Sequence, residues 1–326
     1  MRILFIGPNR IGDSVLASGL LDHLIREHPE ARLTIACGVA AAPLFEAVPG
    51  LESLIAMTKA YRGAHWWRLW RRVVLRRWDM VVDLRRSVIP WTILARRRFV
   101  APSSSAQPPE HAVVTFARAL GLEQHPPAPH LWVGDVHRRH AESLIPAGGD
   151  VLAIGPTANW AGKIWRAENF LEAVRQITGA SNDPGAMPDA RVAVFGAAAE
   201  RAIAAPLLEA LPPERVIDLV GSIDLPTAAA CLARCEIYIG NDSGLMHMAA
   251  AMGAPTLGLF GPSLPERYGP WGPHTDWVRT DKDLDEIVGA PGYDHRTAAT
   301  QMDSLPVGRV VNAAMGLRRR VLEQAA

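Results

Sequence analysis

At 326 residues the chain is too long for one ordinary core and suits two domains. Hydrophobic residues at 49% and charged residues at 21% are a globular balance. The 27 glycines and 26 prolines recur without a period, which excludes collagen-like and low-complexity chains, and a formal net charge of +1 conceals a strongly basic segment.

Three cysteines, Cys37, Cys231 and Cys235, are too few for a disulfide framework and fit a reducing compartment. Cys231 and Cys235 lie four apart in a helical-looking stretch without a second pair, which argues against zinc. The chain has no run of about 18 apolar residues. Its apolar opening, Met1 to Gly7, lacks the longer core and cleavage site of a signal peptide, so a cytoplasmic protein is expected.

In chain order, Arg2 to Gly7 reads as a buried strand and Pro8 to Asp13 as a loop. A helix with apolar positions 16, 17, 20, 21, 24 and 25 follows, ended by Pro29. Leu33 to Ala36 and Met80 to Leu84 are further strands, the latter apolar up to its acidic end, as parallel strands covered on both faces tend to be. Between them, residues 59–98 carry Lys59 and eleven arginines against Asp79 and Asp83, a net +10 that leaves −9 for the rest. On a helix, Trp66, Trp67, Trp70, Val73 and Val74 share a stripe and Arg68, Arg71, Arg72 and Arg76 lie off it. That pattern suits a helix lying on an anionic membrane surface, and equally one packed on its own domain with a solvated arginine face. Residues 101–110 and 121–150, rich in Pro, Gly, Ser and His, read as loop and linker.

The rhythm restarts at 151–155. Strands at 151–155, 192–196, 216–219, 236–239 and 256–260 alternate with helices at 167–178, 198–210, 226–234 and 243–252. Two such blocks mean an α/β protein of two doubly wound domains, expected at 1–148 and 149–326. The last helix, near 307–323, is compatible with either domain.

Three loops carry chemistry. Gly7-Pro8-Asn9-Arg10-Ile11-Gly12-Asp13-Ser14 is neither a dinucleotide fingerprint nor a P-loop. In it, Asp13 is either an N-cap or a carboxylate placed to take a proton from a hydroxyl. Tyr238 to Pro255 reads as strand, tight turn and small-residue helix. Asp242 and Ser243 offer capping oxygens, Gly244 allows close approach, and the helix start suits a phosphate. Its serine is misplaced for a nucleophile elbow, and His247, one turn in, is a ligand contact or a core histidine. Gly155 to Phe170 contains Lys163, one of three lysines, which is either a cation aimed at a diphosphate or a solvated surface lysine. Glu200, just after a strand, either binds sugar or ribose hydroxyls or is a plain first-turn glutamate. Asp281-Lys282-Asp283 looks like a metal motif in a charged loop and is read as solvated.

Gly240-Asn241-Asp242-Ser243-Gly244-Leu245-Met246-His247 with Leu259-Phe260-Gly261-Pro262-Ser263, preceded by Ile11-Gly12-Asp13 and Trp160-Ala161-Gly162-Lys163-Ile164-Trp165, resembles the ADP-heptose:lipopolysaccharide heptosyltransferases, glycosyltransferase family nine. The likeness spans Arg2 to about Gly272. It implies a GT-B architecture, two Rossmann-like domains facing a central cleft. The first would bind the acceptor and the second the nucleotide sugar. It implies inverting transfer of heptose to a lipopolysaccharide core, with no metal and no cofactor. Asp13 would be the base and Lys163 the diphosphate cation. Ser243, Gly244 and Leu245 would form the phosphate cradle, and Thr157, Glu200, Asp242 and His247 would be donor contacts. Gly12, Arg62 and Arg68 would meet an acidic glycolipid acceptor. The expected partners are therefore ADP-heptose and that glycolipid, with peripheral contact to the inner-membrane surface and no nucleic acid. Other readings are a nucleotide-sugar isomerase or epimerase on the same fold, and a non-enzymatic protein that binds anionic surfaces through the arginine–tryptophan segment.

Overall fold

The structure is a computed structural model that describes residues 1–102, 109–282, 286–287 and 299–325, without the Arg62 and Ala325 side chains. The chain divides into two compact units, Met1–Gly134 and Asp135–Ala326.

The first unit runs β1 (Arg2–Ile6), α1 (Ile11–Glu27), β2 (Arg32–Gly38), β3 (Leu51–Met57), α2 (Ala64–Val73), β4 (Trp78–Asp83), α3 (Ile89–Thr92), β5 (Ala95–Val100) and α4 (Ala112–Ala117). Its parallel sheet has the order β3-β2-β1-β4-β5. Chain order therefore reverses at β1 and β4. Central β1 is buried from Ile3 to Ile6, and side chains from both sheet faces need apolar cover there.

The second unit runs α5 (Asp135–Leu144), β6 (Val151–Gly155), α6 (Ala167–Thr178), β7 (Arg191–Gly196), α7 (Arg201–Ala210), β8 (Val216–Val220), α8 (Leu225–Leu232), β9 (Ile237–Asn241), α9 (Gly244–Ala251), β10 (Thr256–Phe260), α10 (Pro265–Tyr268), β11 (Thr275–Arg279) and α11 (Val307–Ala325). Its sheet, again parallel, has the order β11-β10-β9-β6-β7-β8, with the reversal at β6 and β9. β6, β9 and β10 are buried along their whole length.

Several expectations need correction. Residues 121–150 are not all linker: α5 lies at 135–144 and packs on α8, with His137 Nδ1 3.1 Å from Thr227 Oγ1. Only Ala141 of α5 is buried, so its apolar periodicity is too thin to read. The division accordingly falls between Gly134 and Asp135, upstream of 148/149. α11 belongs to the second unit. It packs on α6 and β11, and Arg318 donates to Asp150 (2.6 Å) and to the Ala186 carbonyl (2.7 Å). β3, β5 and β11 were not picked out by periodicity.

The basic helix is real but its stripe is shifted. His65, Leu69 and Val73 of α2 are buried and Trp66 and Trp70 pack against the same core, whereas Trp67 is 58% exposed. The helix thus covers its own sheet. Of Asp281-Lys282-Asp283, Asp281 pairs with Arg309 at 2.7 Å, while Asp283 lies outside the described residues.

Candidate active site

In doubly wound sheets, ligands sit beyond the carboxyl ends of the strands where chain order reverses. In the first unit that point is β1 beside β4. The segment after β1 enters α1 directly, since the helix starts at Ile11 with Arg10 as N-cap and no side-chain cap bond. Gly12 and Asp13 therefore stand in the first turn, and Asp13 is not the cap. A carboxylate there is favoured by the helix dipole and half-exposed to a ligand. The approach to this turn is tightly fixed. Gly38 donates its N–H to the Pro8 carbonyl (3.1 Å), and a Cβ on Gly38 would overlap the Asn9 carbonyl. Only glycine fits at that strand end.

Beside it, Asp83 ends β4 fully buried. It accepts hydrogen bonds from the N–H groups of Arg85 (2.8 Å) and Ser87 (2.7 Å) and from the Ser87 hydroxyl (2.6 Å). This carboxylate shapes the loop in which Arg86 adopts φ 54° and Arg85 lies over the Trp66 ring at 4.4 Å. Two arginines are thus held beyond the strand that pairs with β1. Sequence reasoning took Asp83 only as the acidic end of a strand. Arg68 is exposed on α2, in a groove of about 420 Å³ that Thr58, His65, Arg71 and Arg72 also line. The Arg62 side chain lies outside what is described.

In the second unit the reversal is β9 beside β6, with β7 next to β6. The three loops that follow these strands meet. Lys163 Nζ donates to Asp242 Oδ2 at 2.5 Å, joining the loop after β6 to the end of β9. Thr157 Oγ1 donates to Glu200 Oε2 at 2.8 Å, and the Ala197 N–H donates to the same oxygen at 2.9 Å. Glu200 is therefore tied into the turn after β7 rather than free in a first helical turn. Asp242, buried with its side chain 7% exposed, holds the lysine and does not cap α9. Ser243 is the N-cap residue in extended conformation with no side-chain cap bond. The N–H groups of Gly244 and Leu245 then open the helix, as a bound anion requires. His247 is buried one turn deeper.

Asn241 carries no signal in the sequence that marks it as part of the site. Fully buried, it accepts from the Trp165 N–H (3.1 Å) and donates to the Pro156 carbonyl (2.9 Å), clasping both ends of the loop that carries Lys163. The loop's far side is braced by Thr300 Oγ1 donating to the Ile164 carbonyl (2.5 Å) and by Gln301 N–H donating to Gly162 O (2.9 Å). All of these partners lie at least 76 residues apart, beyond any local signal. Asn241→Leu would strand a buried N–H and a buried carbonyl. Each costs about 1–3 kcal/mol. We expect urea unfolding of the second unit to shift accordingly, with ADP affinity falling in the same variant.

Tyr238 was also missed as a determinant of the glycines. Its fully buried ring runs along β9 to the strand ends, and a Cβ on Gly155 or Gly240 would overlap its hydroxyl. Those two glycines therefore serve a packed phenol as well as any ligand. Burial pushes the Tyr238 phenol well above its ordinary value, so it stays protonated. Burial likewise pushes the thiols of Cys37 and Cys231 up to about 12 and raises that of Cys235, so none is a nucleophilic thiolate near neutrality.

Comparison with known proteins agrees with this geometry. The family model for glycosyltransferase family 9 (heptosyltransferase) matches residues 66–286. Lipooligosaccharide heptosyltransferase 2 of Haemophilus influenzae is 23% identical over 304 residues, 82% of this chain and 85% of the relative. Lipopolysaccharide heptosyltransferase 2 of Escherichia coli K12 is 24% identical over 305 residues, 82% of this chain and 84% of the relative. Among solved structures, E. coli ADP-heptose lps heptosyltransferase II aligns with a TM-score of 0.74 at 22% identity over 100% of both chains. A glycosyl transferase family 9 protein from Veillonella parvula aligns with a TM-score of 0.78 at 20% identity, over 98% of this chain and 97% of the other. These likenesses show a GT-B fold built from two parallel-sheet α/β units. With more than half of its length matched by the family model, the chain belongs to glycosyltransferase family 9, the heptosyltransferases.

Proposed function

We propose that the chain moves a heptose from ADP-heptose to the core of an acidic, lipid-borne lipopolysaccharide acceptor, with inversion and without a metal. In this reading Asp13 takes the proton of the acceptor hydroxyl as its oxygen bonds to the anomeric carbon. The bond from that carbon to the diphosphate breaks, and ADP leaves with the electron pair. Lys163 and the N–H groups at Gly244 and Leu245, aided by the α9 dipole, bear the charge that develops on the leaving diphosphate. Glu200 and Thr157 receive the hydroxyls of the nucleotide sugar, and Asp242 orients the ammonium of Lys163. Gly12, Arg62 and Arg68 act on the acceptor side, where the acidic core sugars need cations. The acceptor's lipid would bring the enzyme to the cytoplasmic face of the inner membrane.

One observation carries the reading: a lysine held by Asp242 and an uncapped helix start come together beyond the β6/β9 reversal, a donor-rich place of the kind a diphosphate fills. The test is a melting-temperature screen of nucleotide diphosphates followed by transfer assays. ADP should raise the midpoint more than UDP or GDP, because binding the folded state alone stabilises it. ADP-heptose should be consumed only when acceptor is present. Conversion of the donor alone would mark an isomerase, and no response to any nucleotide would end the proposal.

A further inference from the structure

In the first unit α2 and α3 lie on one face of the sheet, because Leu69 and Val73 of α2 and Ile89 and Ile93 of the α3 crossover share one core with Ile6 and Val81. The outer surface of that layer is unusual. Trp67 is 58% exposed, Leu75 94%, Val88 69%, Trp91 69% and Leu94 63%. Most large apolar side chains of a soluble face are buried, and five so exposed within 28 residues ask for a partner.

Their placement is ordered. The Trp66–Trp70 side of α2 turns toward β4, as the stacking of Arg85 on Trp66 records, and Trp67 stacks on Trp70 at 4.8 Å. The opposite flank, with Arg68, Arg71 and Arg72, turns to β3. Leu75 and Leu94 stand at the amino ends of β4 and β5, where Trp78 N–H donates to the Leu94 carbonyl at 2.8 Å. Trp91 is fixed on α3, whose carbonyls at Pro90 and Ile93 accept from Arg98 at 2.6 and 3.2 Å.

The charge around these side chains is mainly positive. Arg76 meets Glu52 at 3.5 Å and Arg96 meets Asp79 at 3.9 Å. Arg68, Arg71, Arg72, Arg77 and Arg86 form no ion pair among the described residues. A protein partner would be expected to return carboxylates in fixed geometry. A headgroup layer supplies diffuse negative charge over an apolar boundary, which is what tryptophans and leucines interspersed with arginines match.

We propose that the outer surface of the α2–α3 layer, with Trp67, Leu75, Val88, Trp91 and Leu94 set among exposed arginines, is the face by which this chain docks on an anionic lipid bilayer. The docking deepens the reading of a lipid-borne acceptor and rests on it for its purpose, but its test does not use the transfer reaction.

The experiment is flotation of the full chain with vesicles of phosphatidylethanolamine and phosphatidylglycerol, and with vesicles of phosphatidylcholine alone. Wild type should float with the anionic vesicles only, and less as salt rises. Trp67→Ser/Trp91→Ser and, separately, Arg77→Glu/Arg96→Glu should each reduce the bound fraction at least about tenfold. Both variants should keep the wild-type melting temperature and the wild-type rate on a soluble, deacylated acceptor. Wild type that stays in solution with anionic vesicles overturns the proposal. So does flotation of both variants at the wild-type level, or salt-sensitive binding to nucleic acid as tight as to vesicles and indifferent to the tryptophan changes. A wild type that floats but transfers nothing to the soluble acceptor would instead remove the proposed reaction and leave the docking surface standing.

Discussion

Asp13→Asn should lower kcat/KM for transfer by about 10²–10⁴-fold, the usual contribution of a positioned general base, while ADP binds as before. The separation follows from where the groups sit. Asp13 is on α1 in the first unit, whereas Lys163, Asp242 and the start of α9 belong to the second. The amide keeps the size of the carboxylate, so the turn held by Gly38 against Pro8 is preserved. Asparagine loses the charge that favours the helix start, a contribution of about 0.3–1 kcal/mol. A melting temperature close to wild type, an unchanged ADP dissociation constant and a collapsed rate would together assign the loss to chemistry. A rate within threefold of wild type would remove Asp13 as the base.

What could be read from the sequence followed burial. β1, β6, β9 and β10 are central or nearly so, covered on both faces, and their apolar runs were legible. The strands that escaped, β3, β5 and β11, are all edge strands. β5 reads Ala-Arg-Arg-Arg-Phe-Val with its three arginines exposed, because an edge tolerates charge and is protected by it from pairing with another chain. α5 escaped for a similar reason, one buried alanine being too little for a periodic signal.

The site was legible in its loops and illegible in its pairings. Strand–turn–helix spacing singled out Lys163, Asp242 and Glu200, yet it left a capping role open for both Asp242 and Asp13. Geometry reassigns both: Asp242 holds a lysine 79 residues away, and α1 begins two residues before Asp13. Asn241 and Tyr238 act through neighbours on other strands. Such partners exist only once β6 and β9 lie side by side, as Gly155 and Gly240 do in their shared register.

The pairing of Lys163 with Asp242 gives the other large effect. The two side chains are 20% and 7% exposed, so neither charge is fully solvated when alone. Lys163→Met should leave a buried, uncompensated carboxylate at a cost of about 3–5 kcal/mol, whereas removing both charges is often close to neutral. Lys163→Met/Asp242→Asn should therefore recover most of the stability lost in Lys163→Met, as read by urea unfolding. ADP affinity should not recover. A charge-assisted hydrogen bond to the diphosphate contributes about 1.5–3 kcal/mol, or roughly 10- to 100-fold in Kd, and the double variant still lacks the ammonium. Stability and binding then part company in one pair of residues. If the ammonium served only to neutralise Asp242, the refolded double variant would bind ADP as wild type does, and the diphosphate role assigned to Lys163 would fall. If ADP affinity stays low while stability returns, the carboxylate's part is to aim the lysine, and the lysine's part is the leaving group.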